Sequence, residues 1–176
     1  MNQIKVLSAL LLILFINCSN YSSYSEIETE LGQIVKLLDR ESNIYEVTKV
    51  LNIGVRKFNQ KFIAQDSIQI DSLLMSYPYL SGDIYLEHTF LIENKIASDV
   101  YYKLTSLIDS TDILSVRNSN KYIGFNMGGF IDSNDGYLFL KQGQHLEIGE
   151  DYVFGASLLD LTPIHNKEGW YEFVSD

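Results

Sequence analysis

The chain has 176 residues, with 13 Lys plus Arg against 23 Asp plus Glu and a formal net charge of −10. That balance argues against nucleic acid as a partner, because such binding relies on Lys and Arg displacing counterions from phosphates, and it disfavours electrostatic attachment to anionic lipid. The single cysteine rules out an intrachain disulfide, so stability must come from an apolar core.

Met1 to Lys5 form a short polar start with one positive charge, Val6 to Ile16 an apolar run, and Cys18 follows after Asn17. This is the layout of a secretory signal peptide. At ~1.5 Å per helical residue the run spans ~17 Å, well short of the ~30 Å hydrocarbon core of a bilayer, so it does not read as a membrane-spanning anchor. A signal whose apolar run stops one residue before a lone cysteine resembles the bacterial lipoprotein export signal. The resemblance implies that residues 1–17 are removed. It also implies that Cys18 becomes the lipidated first residue, carrying palmitate-type chains, and that the protein resides in the cell envelope. The outer membrane or cell surface is the expected location. Two positions depart from that pattern: Phe15 stands where Leu is usual, and Asn17 where a small residue is.

Ser19 to Glu26 is polar and Ser-rich, which suits a flexible tether covering residues 18–25. Ser25 with Glu28 has capping-box spacing, and Ile27, Leu31, Ile34, Val35 and Leu38 recur at helical intervals, which predicts a helix from Glu26 to Leu38. Asn43 with Glu46 repeats the start signal, and Ile44, Val47, Val50 and Leu51 predict a second short helix. From Val55 to Leu80 the periodicities conflict. Ile84, Leu86, His88, Phe90 and Ile92 alternate like a strand, and Ile96, Val100, Tyr102 and Leu104 keep the two-residue period, which predicts a hairpin. Further strands are expected at 113–116, 122–131, 137–140, 157–161 and 170–174. Turns are expected at Asp132–Gly136 and Asn166–Gly169. The expected architecture is α+β: two short N-terminal helices packed on an antiparallel sheet of about five to seven strands, in one domain over residues 26–176.

Motifs that carry chemistry are sparse. The DSNDG at 132–136 lacks the glycine and glutamate positions of a calcium loop, and Gly124, Gly128 and Gly129 do not form a phosphate-binding GxGxxG. No GxSxG or SxxK is present. His88 is expected on the apolar face of its strand, and His145 could share a face with Glu147, as general acid-base work would use. No catalytic residue, cofactor or metal site is assigned. Tyrosine is abundant, and Tyr77, Tyr79, Tyr85 and Tyr101 are the candidate binding surface, since exposed tyrosine supplies contact area at low entropic cost.

The expected function is therefore a membrane-anchored envelope lipoprotein acting as a non-catalytic binding or accessory protein for a protein partner. A toxin-immunity role, with acidic surface meeting a basic toxin, has the same outline. The alternative is an envelope hydrolase using His145 or His165 with nearby carboxylates. The stretch YEVTKVLNIG, Tyr45 to Gly54, behind two helices is similar to the small lipoprotein subunit of the outer-membrane barrel assembly machinery. That family's Gly-Met-Thr opening and its later proline are absent, so no residue role carries over.

Overall fold

The computed structural model describes residues 22–50, 55–128 and 133–176. Cys18 and the apolar run expected as a signal peptide lie outside the described residues. Helix α1 covers Tyr24–Leu38 and strand β1 Glu46–Val50; β2 (Val55–Phe58) and β3 (Lys61–Ala64) follow. Helix α2 spans Ser67–Ser76, a 3-10 turn Pro78–Leu80, and β4 Ile84–Leu86. Helices α3 (Glu87–Glu93) and α4 (Ser98–Asp109) come next. The chain ends with β5 (Ser115–Asn118), β6 (Tyr122–Gly128), β7 (Asn134–Leu140), β8 (Tyr152–Val153), β9 (Ala156–Pro163) and β10 (Trp170–Ser175). These strands form one sheet in the order β4-β3-β2-β1-β5-β6-β7-β10-β9-β8, antiparallel throughout except for the parallel pair β3 and β4.

The α+β class agrees with the sequence, but the counts do not. The sheet has ten strands rather than five to seven, and one helix rather than two precedes it. α1 starts at Tyr24, with Ser23 and Glu26 as its capping pair: the Ser23 N–H donates to Glu26 Oε2 at 2.7 Å. The Ser25 and Glu28 pair is therefore not the cap. Tyr24 is itself buried, and Ser22 is hydrogen-bonded into the domain, so the stretch expected as a tether overlaps the fold from Ser22 onward.

The second predicted helix is strand β1. Val47, Thr48 and Val50 are β-branched and pack well on a pleated surface, and β1 sits between β2 and β5, paired antiparallel with both. The i, i+3 spacing of Val47 and Val50 misled because the two residues face opposite sides of the sheet: Val47 belongs to the main core, Val50 to a cluster behind it. Asn59 and Gln60 join β2 to β3 with φ of 50° and 68°, the left-handed backbone of a two-residue hairpin turn. The buried Asn59 side chain then locks the hairpin to the preceding segment. Its Oδ1 accepts from the Tyr45 and Glu46 N–H groups at 2.9 and 3.2 Å, and its Nδ2 donates to the Asn43 carbonyl at 2.7 Å.

The predicted hairpin over 83–104 is also overturned. Only Ile84–Leu86 is strand; the remainder forms α3 and α4. Tyr101, Leu104, Thr105 and Ile108 are buried at i, i+3, i+4 and i+7, one stripe of a helix. The two-residue period had paired Leu104 with Tyr102, which is 55% exposed. Lys95, at φ 55°, lets the chain leave α3 just before α4 begins.

Five of the C-terminal strands overlap their predicted runs, β8 was not expected, positions 129–132 of the expected strand and turn lie outside the described residues, and Asn166 (φ 59°) and Gly169 (φ 78°) form the expected turn between β9 and β10. At Asp132–Gly136 the strand begins by Asn134, inside the predicted turn. Gly136 serves a close approach instead: a Cβ there would lie 1.9 Å from the Phe125 carbonyl oxygen, beside a register shift in β6.

Helices α1, α3 and α4 cover one face of the sheet, burying Leu31, Ile34, Leu38, Phe90, Leu104 and Ile108 with Val47, Phe58, Val116 and Phe125. On the opposite face, α2 and the 3-10 turn cover β2 and β3 through Leu73 and Leu80 against Val55, Phe62 and Ala64. A third cluster, Tyr122, Leu138, Val153, Leu158 and Phe173, holds the β6-to-β8 end together.

Candidate functional site

On β2 the side chains alternate: Val55 enters the rear cluster, while Arg56 shares the helix-covered face with Phe58. Arg56 there meets the C-terminal turn of α4, where its guanidinium pairs with the Asp109 carboxylate. A cleft of about 550 Å³ opens over this pair, lined by Arg56, Glu87, Tyr101, Tyr102 and Asp109 together with Gln65 and hydroxyls of α4.

Glu87, the first residue of α3, brings the second carboxylate. The Tyr102 hydroxyl donates to Glu87 Oε1, and the bond to that anion raises the Tyr102 pKa. Burial, followed by the charge of Glu87, pushes the Tyr101 hydroxyl up as well. Tyr101 stacks at 4.8 Å on Phe58 and meets Tyr102 edge-on at 5.3 Å, so two tyrosine rings stand beside one carboxylate. The hydrogen bond that Arg56 donates to Asp109 raises its pKa, and the guanidinium is charged at any working pH. Its Nε is buried and has no hydrogen-bond partner among the described residues. Lys49 lies opposite Arg56 in the β1–β2 register and donates to the Thr111 carbonyl at 2.8 Å. Burial lowers its pKa, against the opposing pull of Asp109 and Asp112. The cleft thus offers one guanidinium, two carboxylates and two aromatic rings, the means to bind an ammonium or a zwitterion.

The four tyrosines expected as one surface are divided. Tyr77 and Tyr79 sit together beyond α2, edge-on at 6.1 Å, with Tyr79 75% exposed. Tyr85 packs against the main core with Lys61 Nζ 4.0 Å above its ring, and Tyr101 is buried and lines the cleft. His88 is exposed on α3 rather than turned to an apolar strand face. It lines a second cleft of about 380 Å³ with Leu91, Ile92, Lys95, Ile96, Ala97 and Ser98, and no carboxylate is in that lining. His145 lies 3.6 Å from Glu147, but both are well exposed, and His165 is exposed in the β9–β10 turn. The histidine-bearing cleft therefore holds no carboxylate, and the cleft with two carboxylates holds no histidine.

Arg56, Glu87, Tyr102 and Asp109 were not picked out by the sequence. Their signal was present: once 98–109 is read as helix, Tyr102, Ser106 and Asp109 fall at i, i+4 and i+7 on one stripe. Among the described residues no helix is long and apolar enough to cross a membrane. No family model matches the chain, and neither a curated protein nor a solved structure matches it.

Proposed function

We propose that the chain is a lipid-anchored protein of the bacterial envelope, held at a membrane through Cys18, that binds a protein partner without catalysing a reaction on it. The observation that carries this reading is the set of three widely exposed apolar side chains on α2 and the turn after it. Ile68 and Met75, seven residues apart on one helix, are 77% and 86% exposed, and Tyr79 follows at 75%. Large apolar groups left this open on a surface mark a contact site.

The surroundings are acidic. From Phe62 to Asn94 the chain holds Asp66, Asp71, Asp83, Glu87 and Glu93 and no Lys or Arg. The complementary partner has an apolar pocket edged by basic side chains, as a basic toxin neutralised in the envelope would. The hydrolase alternative has less support, because His145, beside Glu147, and His165 are both exposed and line neither cleft.

A photo-reactive amino acid placed at Met75 in living cells tests the partner reading, with the same group at Lys36 on α1 as the control. A single adduct of defined mass from position 75 alone is expected. No adduct at 75, or the same adducts from both positions, would contradict the reading.

A further inference from the structure

The cleft between β2 and α4 stands at the end of the sheet where the chain enters the domain. The Ser22 N–H and Oγ bond to Asp112 Oδ2 at 3.1 and 2.7 Å, three residues beyond the end of α4. Asp109, the last residue of α4, pairs with Arg56 inside the cleft. Lys49, beside Arg56 in the sheet, donates to Thr111 between the two. One run of contacts therefore joins Ser22 to the cleft. Only Ser19, Asn20 and Tyr21 separate Ser22 from Cys18. Four residue steps of at most ~3.6 Å hold Ser22 within about 14 Å of that cysteine. On the lipid-anchored reading, on which this inference rests, this end of the domain faces the lipid headgroups.

We infer that the cleft takes the headgroup of a zwitterionic aminophospholipid, with its ammonium against Glu87 and the exposed ring of Tyr102 and its phosphate against Arg56. A carboxylate beside a tyrosine ring suits an ammonium, which gains from both the charge and the ring face. The guanidinium, on a side chain 29% exposed, supplies a planar donor set for a phosphate. Two carboxylates against one guanidinium leave the lining net negative, which selects against an anionic headgroup that lacks an amine. A cleft of about 550 Å³ is within the usual size of a small-ligand site and has room for a phosphoethanolamine group.

The test uses the full-length protein extracted from membranes in detergent, titrated calorimetrically with short-chain phosphatidylethanolamine, short-chain phosphatidylglycerol and free phosphoethanolamine. Saturable binding of the ethanolamine lipid is expected, roughly tenfold or more tighter than the glycerol lipid. Glu87→Gln should weaken it by a similar factor, and Arg56→Lys should weaken it while keeping the charge. Thermal melts of both variants must match the parent protein, and Tyr102→Phe provides a third variant that keeps the ring. Equal affinity for the two lipids, or unchanged binding in folded Glu87→Gln, overturns the site. Tighter binding of free phosphoethanolamine than of the lipid overturns the lipid source. The probe lipids are free in solution, so the outcome does not depend on acylation. Fatty-acid labelling of Cys18 without lipid binding overturns the cleft alone, and binding without labelling overturns the anchor alone.

Discussion

Ser22 and Asp112 are ninety residues apart in sequence, yet the Asp112 carboxylate accepts both the backbone N–H and the hydroxyl of Ser22. Tyr137 adds a bond from its hydroxyl to the Ser22 carbonyl at 3.2 Å. The entry point of the chain is thus fastened from two sides, by the segment after α4 and by β7.

The bonds from Ser22 hold the Asp112 carboxyl below the usual carboxylate range, and Lys121 does the same for Asp151. A depressed folded-state pKa gives stability that is present above the unfolded value of about 3.9 and lost as pH falls through the folded one. Asp112 is exposed and Asp151 half-buried, so each is worth at most about 1 kcal/mol. The double variant Asp112→Asn with Asp151→Asn should be less stable than the parent at pH 7, with the gap closing at acid pH, once pH has fallen through the lowered folded-state values. Denaturant titrations at both pH values check this; a gap that persists in acid contradicts it.

Asn59 makes three side-chain hydrogen bonds from a buried position with φ of 50°. Asn59→Gly keeps the left-handed backbone accessible and removes only those bonds. It should lower stability by about 2–3 kcal/mol, because two N–H groups and one carbonyl lose their partners. Denaturant unfolding would show it, and a loss below about 0.5 kcal/mol would mean that the side chain does not hold the hairpin.

The helical register of α4 separates two adjacent tyrosines. Tyr101→Ala should cost about 3–5 kcal/mol, and Tyr102→Ala under ~1 kcal/mol. A larger loss at Tyr102 than at Tyr101 would favour a two-residue period, in which Tyr102 shares a buried face with Val100 and Leu104.

Gly136→Ala should destabilise by about 3 kcal/mol, since the added methyl meets the Phe125 carbonyl rather than a side chain that can move. A melting temperature equal to the parent's would show that β6 and β7 are spaced more widely than described.

What could be read in the sequence divides along physical lines. α1 was legible because its five apolar positions all face one core and its neighbours are polar. β5, β6, β7, β9 and β10 were legible because turn residues separate short apolar runs, whereas the two-residue β8 carries no such run. Between Asn43 and Asp109 the sheet is covered on both faces, by α3 and α4 on one side and by α2 on the other. Apolar residues there point both ways, which blurs the difference between a period of two and one of 3.6. The cleft was hidden for the same reason: Arg56 lay in the stretch of conflicting signals, and Glu87 and Tyr102 lay in the mistaken hairpin. Their meeting depends on α3 and α4 packing beside β2, which spacing alone does not encode.

The proposed anchor at Cys18 would orient everything built on Ser22. The direct measurement is metabolic labelling with a clickable fatty-acid analogue, read together with membrane fractionation. The parent protein should be labelled and pellet with membranes, and Cys18→Ala should lose both the label and the membrane fraction. A Cys18→Ala protein that keeps either one would contradict it.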